Sequence, residues 1–317
     1  MTTRGLIDAH VHLAALPTES NGCWISPRML KTPVARMVAW SLDLPLDDAQ
    51  TANRRYLERL ETEFAASESV EKAVLLAMDG VYDAQGRLDK DRTDFLISND
   101  TLLETVASRP QFLAGVSINP FRRDALDELE RCAERGAKLV KVLPNAQMFD
   151  PGDGRLLRFY RRLGELKLPL LSHIGYEFSL IGQDQSVGDP DRLIGALEEG
   201  ATVIAAHGCS QGLFFVEKHF KTMLQMVRRY KNFYSDLSAL TLPNRVGALI
   251  RISRRPELFE RLVFGTDYPL PCFSYPAILG GGFQESRRAT NRFDRQLRVF
   301  QSLGVKPQAD LGALLAQ

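Results

Sequence analysis

The sequence predicts an α/β protein, a (β/α)8 TIM barrel, in which eight parallel strands alternate with helices. The first observation is that short apolar runs alternate with longer, charge-rich segments of helical periodicity over 317 residues. The second is that the apolar runs number eight, which is the count for a closed barrel. An open doubly wound sheet is the alternative, but no G-x-G-x-x-G motif follows the first run.

The predicted elements follow one another in the order that a barrel requires. The predicted strands are Leu6–Leu13, Ala73–Met78, Phe112–Ile118, Leu139–Leu143, Pro169–His173, Thr202–His207, Phe233–Leu237 and Leu262–Asp267. The predicted helices include Arg54–Ala66, Ala125–Arg135, Leu156–Leu166, Phe214–Arg229 and Val246–Ile252. We expect residues 1–317 to form a single domain, with an insertion at about 14–49 and a peripheral tail at about 305–317.

Two irregular segments interrupt this alternation. The insertion after the first strand contains prolines, Trp24 and Trp40, and a long loop from Tyr268 to about Gln284 follows the last strand. Both segments are expected at the carboxyl ends of the strands, where inserted loops shape substrate pockets. We expect the two tryptophans to pack the insertion onto the barrel. A role in the pocket wall is the alternative.

Composition favours a small-molecule partner. The 40 basic and 39 acidic residues nearly balance, with no basic stripe or acidic tail, which argues against nucleic acid and membrane surfaces as partners. Homo-oligomers are left open. A reduced, cytoplasmic protein is expected because there is no apolar leader and no C-x-x-C pair among the four scattered cysteines. These are Cys23, Cys132, Cys209 and Cys272.

The first predicted strand contains the most specific motif. Because alternate residues of a strand point the same way, Asp8, His10 and His12 are expected to face the barrel interior. The intervening residues are expected to face the helices: Ile7, Ala9 and Val11. Two inward imidazoles at the carboxyl end of a strand can bind one metal ion, although two core histidines bonded to backbone carbonyls are the alternative.

Further candidate ligands fall at the ends of other predicted strands. His173, His207 and Asp267 each end an apolar run, at the edge where barrel enzymes keep their catalytic groups. His219 alone of the five histidines falls elsewhere, in a helical stretch beside a lysine, and is expected on the surface.

The spacing of these residues fits one register. Lys141 to His173 is 32 residues, His173 to His207 is 34, and His207 to Asp267 is 60, or two units of 30. A barrel of eight units averages roughly 31 residues in each unit. Strand ends one, four, five, six and eight therefore carry His-x-His, Lys, His, His and Asp.

This set of motifs resembles the amidohydrolase superfamily, and more narrowly its amidohydrolase-related (amidohydrolase 2) branch of metal-dependent hydrolases and decarboxylases. The matching segments, spread over roughly residues 4 to 303, are Asp8–His12, Val140–Val142, Ser172–His173, Ala206–Gly208 and Phe264–Pro269. The resemblance implies that His10, His12, His173 and Asp267 bind a divalent metal. Zinc is expected, with manganese, iron or nickel as alternatives.

The resemblance leaves the number of ions open. One ion is expected, with His207 handling protons beside the bound water. In a binuclear site, His207 and Lys141 would be additional ligands, Lys141 as a carboxylated bridge. The alternatives for Lys141 are neutralising Asp8 or Asp267 and orienting substrate. Asp8 is expected below the metal, as a partner that orients the ligating histidines.

Other polar residues at predicted strand ends could line the pocket, although turn formation or helix capping explains each of them equally well. These are Asp79, Asn119, Asn145, Tyr176, Glu177, Cys209, Asp236 and Ser238.

Three functions follow from this site. The first is hydrolysis of an amide, lactone or related carbonyl-level bond by metal-activated water, with Asp267 as general base and His207 assisting. The second is metal-dependent, non-oxidative decarboxylation of an unsaturated or aromatic carboxylic acid. The third is a non-catalytic barrel, which the complete set of ligand positions disfavours.

Overall fold

Eight parallel strands form a nearly closed barrel in the computed structural model, which describes residues 5–180 and 184–316. The barrel strands are β1 (Leu6–His12), β3 (Val70–Leu76), β5 (Phe112–Ser117), β6 (Leu139–Val142), β7 (Leu170–Ser172), β8 (Val203–Ala205), β9 (Phe233–Asp236) and β10 (Leu262–Val263). Their order in the sheet is their order in the chain, as in a (β/α)8 fold. The predicted fold class is confirmed.

Helices follow the barrel strands, and several strand ends are joined to short 3₁₀ turns. The helices are α1 (Pro33–Leu42), α2 (Ala49–Ala65), α3 (Asn99–Ala107), α4 (Ala125–Glu134), α5 (Pro144–Gln147), α6 (Leu157–Glu165), α7 (Ile194–Glu198), α8 (His219–Arg229), α9 (Val246–Ser253), α10 (Phe283–Arg288), α11 (Arg292–Ser302) and α12 (Leu311–Leu315). Among the described residues, no helix is both long enough and apolar enough to cross a membrane.

Backbone hydrogen bonds between β1 and the segment after β10 close the barrel. Ala9 N–H donates to the Phe264 carbonyl at 2.9 Å, and the Asp267 N–H donates to the His10 carbonyl at 2.8 Å. The buried Asp8 carboxylate joins the same two segments, because it accepts from the Thr266 hydroxyl at 2.6 Å and from the His10 N–H at 2.8 Å. Burial raises the pKa of Asp8 to about 7, against the opposing effect of these hydrogen bonds.

The side-chain alternation of β1 differs from the prediction in its first half. The pairing of β1 with β3 shifts register between Asp8 and Val11, as at a β-bulge. Ala9 therefore packs with Leu171 and Ile204 in a small buried cluster, with Ile7 against it, instead of facing the helices. Val11 belongs to the larger core cluster, as predicted.

The end of the chain is not peripheral, in contrast to the tail expected at about 305–317. Leu311 and Leu315 of α12 are 5% and 4% exposed, and both join the small cluster that contains Ala9. Asp310 caps α12 by accepting from the Ala313 N–H. Two apolar residues four positions apart on a short helix were too weak a pattern to predict this packing.

The insertion forms ordered structure over the carboxyl ends of the strands. It contains α1, capped by Thr32 with Pro33 in the first turn, and the strand β2 (Trp24–Ile25), which pairs antiparallel with β4 (Phe95–Leu96). The Trp24 indole donates to the Thr93 carbonyl, in keeping with a packing role. Trp40 does not pack onto the barrel, because it is 83% exposed.

Shortening a side chain of α12 tests whether this helix stabilises the barrel. Leu315→Ala should lower the free energy of unfolding by about 2–3 kcal/mol, because it leaves a cavity in the small cluster. Urea denaturation followed by circular dichroism measures the change. Leu279→Ala is the control, since Leu279 is 68% exposed, and it should change stability by less than about 0.5 kcal/mol. Equal stability of the two variants would contradict a structural role for α12.

Candidate metal centre

Three of the predicted ligands meet at the carboxyl ends of β1 and β10. Nε2 of His10 lies 3.3 Å from Nε2 of His12 and 3.4 Å from Oδ1 of Asp267. The distance from His12 Nε2 to Asp267 Oδ1 is 3.2 Å. His10 and Asp267 are buried, whereas the His12 side chain is 20% exposed and is the most accessible of the three.

The spacing of these three atoms fits a metal ion. A tetrahedral ion with ligand bonds of about 2.0–2.1 Å holds its ligand atoms about 3.3–3.4 Å apart. Imidazole nitrogens and a carboxylate oxygen are also the donors that zinc and similar ions prefer. Without a cation, the lone pair of His10 Nε2 and a carboxylate oxygen of Asp267 would face each other unfavourably. The described residues therefore include a group that can hold a divalent ion.

The carboxylate of Asp236, at the end of β9, orients His10. Its Oδ2 lies 2.7 Å from His10 Nδ1, so that nitrogen carries the proton and Nε2 presents a lone pair. Its Oδ1 accepts from the backbone N–H of His207 at 2.8 Å and from the Ser238 N–H at 3.0 Å. Burial alone would raise the pKa of Asp236, but His10 and these hydrogen bonds hold it below its usual range.

His207 and His173 form a hydrogen-bonded pair beside this group. Nδ1 of His207 lies 2.8 Å from the Ser238 hydroxyl, and its Nε2 lies 3.1 Å from Nδ1 of His173. His173 Nε2 is buried and has no hydrogen-bond partner among the described residues. If Nδ1 of His207 carries the proton, its Nε2 accepts a hydrogen bond from Nδ1–H of His173. The Nε2 of His173 then has a lone pair that is available to a metal ion.

His173 nevertheless lies outside the compact group of His10, His12 and Asp267 in the described residues. A second compact group consists of His10, His207 and Asp236. The His10 and His207 rings are 5.2 Å apart between centroids, so the two groups are adjacent.

Two predicted site residues have left-handed backbone conformations. His207 has φ 61° and Asp267 has φ 69°, which is unusual for residues other than glycine. In each case the backbone N–H is bound within the site, that of His207 by Asp236 and that of Asp267 by the His10 carbonyl. Buried residues held in this conformation often occur at functional sites.

Lys141 lies at the bottom of the site. It is buried, and its Nζ is 3.3 Å from Nε2 of His10. Burial lowers the pKa of Lys141 to about 8, although the charges of Asp236 and Asp267 act in the opposite direction. A lysine with this pKa keeps most of its positive charge at pH 7 but gives up its proton more easily than an exposed lysine. Asp8, the other predicted partner of Lys141, instead binds Thr266.

Burial, together with nearby positive charge, keeps the histidines neutral. Burial lowers the pKa of His10, and the charge of Lys141 lowers it further. Burial also lowers the pKa values of His173 and His207, and the charge of Arg245 lowers both further. Neutral imidazole is the form that binds metal. Burial alone would raise the pKa of Asp267, but the nearby His10 and His12 lower it below its usual value.

Arg245 was not predicted as a site residue. Its buried guanidinium donates to the carbonyls of Ile174, Tyr176 and Ser210, and so ties the segment after β7 to the segment after β8. An arginine two residues after a proline, before a helix, carries no sequence signal for such a role.

The other polar candidates divide into two groups. Glu177 lines the cavity above the ligands, with Oε2 3.7 Å from His173 Nδ1, and Asp236 and Ser238 support the histidines. The remainder have other partners or other positions and do not line that cavity: Asp79, Asn119, Asn145, Tyr176 and Cys209.

Two expectations about histidine surroundings were wrong. Asp8 contacts the backbone of His10, not its ring, which Asp236 orients. His219 is not on the surface: it is 4% exposed at the start of α8, where it contacts Asp189. A buried histidine at the first position of a helix looks exposed when only its lysine neighbours are considered.

The chain resembles several solved barrels in fold. A TIM-barrel protein without an assigned function from Bordetella bronchiseptica has a TM-score of 0.62 at 17% identity, covering 98% of this chain and 94% of that one. A Pseudomonas putida protein provisionally assigned as a 2-pyrone-4,6-dicarboxylic acid hydrolase has a TM-score of 0.56 at 16% identity, covering 98% and 93%.

A decarboxylase shares the same fold. The 5-carboxyvanillate decarboxylase from Sphingomonas paucimobilis has a TM-score of 0.50 at 13% identity, covering 95% of this chain and 99% of that one. No curated protein sequence matches the chain. Likenesses at these identities establish the fold alone.

The sequence itself matches the amidohydrolase family over residues 7–278, which includes every predicted ligand and Lys141. The matched region extends from the first barrel strand to the loop after the last one. The chain therefore belongs to the amidohydrolase family.

Proposed function

We propose that the protein is a metal-dependent hydrolase that cleaves an amide, lactone or related carbonyl-level bond in a small molecule. The observation that carries this proposal is the convergence of His10 Nε2, His12 Nε2 and Asp267 Oδ1 within 3.4 Å of one another. These atoms lie on the floor of a cavity of about 190 Å³ at the carboxyl ends of the strands. Barrel enzymes hold their catalytic groups at that face.

The proposed ligands of one ion are His10, His12, His173 and Asp267. The unpartnered Nε2 of His173 supports its inclusion, although its ring must turn toward the other three to join them. Zinc is the proposed ion, since the donor set is nitrogen-rich with one carboxylate. A second ion, with Lys141 and His207 as added ligands, is the alternative that metal counting decides.

A divalent ion held there supplies Lewis acidity and makes water a nucleophile at neutral pH. Asp267 has a second carboxylate oxygen that can accept a proton from the attacking water. We assign the proton transfer to the leaving group to Nε2 of His207, which must first be released from His173 Nδ1 at 3.1 Å, while the Ser238 hydroxyl holds Nδ1 at 2.8 Å. Arg245 fixes the backbone from which His173 and His207 project.

Decarboxylation of an unsaturated or aromatic carboxylic acid is the second candidate. The observation that favours it is Lys141, which lines the cavity floor 3.3 Å from His10 and could pair with a substrate carboxylate. The fold likeness to a 5-carboxyvanillate decarboxylase is consistent with this candidate.

Metal content distinguishes the proposed ligands from Lys141. Protein purified without chelator should hold about one equivalent of a transition metal by elemental analysis, because the three donor atoms lie at the spacing that a tetrahedral ion requires. His12→Ala should lose the metal and Lys141→Ala should keep it. His219→Gln is the control, since that histidine lies outside the site, and it should keep the full equivalent. Two equivalents that fall in Lys141→Ala would indicate a binuclear centre instead.

Asp236→Asn tests whether this carboxylate orients His10. An amide can donate to Nδ1 and thereby place the proton on Nε2, so metal affinity should fall about 10- to 100-fold. Competition with a chromophoric chelator measures the affinity. Asp8→Asn is the matched control, because Asp8 bonds to the backbone of His10 and not to its ring, and it should change the affinity less than about threefold. Equal losses in both variants would indicate a general effect on folding.

His207→Gln tests the proposed proton transfer. With a lactone or amide substrate found by screening, kcat should fall about 100-fold or more while metal content is unchanged. Hydrolysis in ¹⁸O-water should place one label in the product carboxylate. Release of carbon dioxide from an aromatic acid, with solvent deuterium in the product, would support decarboxylation and count against the hydrolase.

A further inference from the structure

The cavity above the candidate metal centre has polar groups concentrated at one end. Its floor contains the imidazoles of His10, His12, His173 and His207 with the Asp267 carboxylate. The walls consist mainly of aliphatic side chains from the insertion and the neighbouring loops. Representative wall residues are Ile25, Met29, Val38, Leu44, Leu180 and Leu270.

One face of α1 forms a large part of this wall. Val38 lies one helical turn after Val34 and Ala35, and all three side chains line the cavity. Met37 and Trp40 lie on the opposite face, away from the cavity, and are exposed. The apolar wall is therefore a specific face of α1, and the helix presents comparable apolar groups to solvent on its other side.

Three polar side chains in the walls already have partners within the protein. Asn53 accepts from the Leu16 N–H at 2.6 Å and donates to the Leu16 carbonyl at 2.9 Å. The Tyr56 hydroxyl donates to the His12 carbonyl. Glu177 accepts from the backbone N–H of Ser179. Each of these groups keeps some hydrogen-bonding capacity, but none of the three carries a positive charge that could pair with a second carboxylate of a ligand.

Positive charge is present only at the floor. Within the described part of the chain, Lys141 is the single lysine or arginine among the residues that line the cavity. Arg245 lies behind it and is bound to three backbone carbonyls. A second carboxylate on a ligand would face aliphatic carbon, where it would lose its hydration without gaining a partner.

We propose that the cavity binds a molecule with one polar reacting group, held at the floor, and an apolar body that lies against the face of α1. Dicarboxylates and other substrates with a charge at each end are excluded. This rests on the proposed function only for the identity of the reacting group. The selectivity itself depends on the walls, and binding of unreactive probes measures it without turnover.

Two series of straight-chain probes test the walls by calorimetry on the metal-loaded protein. Carboxylates from propanoate to octanoate should bind about fourfold more tightly with each added methylene until the cavity is full. Glutarate should bind at least about tenfold more weakly than pentanoate. The neutral 1-alkanols should show the same dependence on length, both with metal and after its removal, because they need no ligand at the floor.

Substitutions on the two faces of α1 locate the effect. Val38→Asp should weaken the binding of 1-octanol at least about tenfold. Met37→Asp, on the exposed face of the same helix, should leave the affinity for 1-octanol unchanged. Ala35→Leu adds bulk without charge. In this variant, affinity should stop increasing with chain length one or two carbons earlier than in the unchanged protein. Circular dichroism checks that each variant folds, and Ala35→Leu keeps the test decisive if Val38→Asp does not.

The two proposals fail in different ways. A protein that binds no metal, either as purified or after reconstitution, but shows the alkanol dependence would refute the metal-dependent hydrolase and support the apolar site. Glutarate binding as tightly as pentanoate, or alkanol affinity independent of chain length, would overturn the apolar site whatever the metal content. Equal effects of Val38→Asp and Met37→Asp would also overturn it.

Discussion

The buried carboxylate of Asp236 is the constraint on which the geometry of the site depends. It accepts hydrogen bonds from three separate segments: the ring of His10 on β1, the backbone of His207 after β8 and the backbone of Ser238 after β9. A buried charge is costly unless its oxygens are satisfied. Here the donors that satisfy it are the groups that present the candidate ligands, so one requirement fixes both the local fold and the placement of the imidazoles.

The ionised and neutral side chains at the floor of the cavity together favour binding of a cation. Asp236 and Asp267 have lowered pKa values and stay ionised, whereas burial keeps His10, His173 and His207 neutral. Lys141, with its pKa lowered to about 8, loses its proton more easily than an exposed lysine. The floor is therefore rich in lone pairs and carries negative charge, which is the electrostatic environment that a divalent ion requires.

Much of the fold and of the candidate site could be predicted from the sequence. The period of the apolar runs gave the barrel, and His10, His12, His207 and Asp267 fall together because parallel strands end at one face. Supporting contacts could not be predicted in this way. Asp236 looked like a turn residue until its partners on β1 and after β8 were known. The bulge in β1 and the burial of Leu315 likewise depend on tertiary packing that no local pattern encodes.

The floor and the wall of the cavity belong to different parts of the chain. The floor residues end barrel strands and are tied into barrel closure, whereas much of the wall comes from α1, in a segment inserted between β1 and α2. Mutations in the insertion can accumulate with little effect on the strands, since the segment contributes no barrel strand. Changes in substrate preference are therefore expected to arise from substitutions in the insertion, while the residues at the strand ends keep the same chemistry.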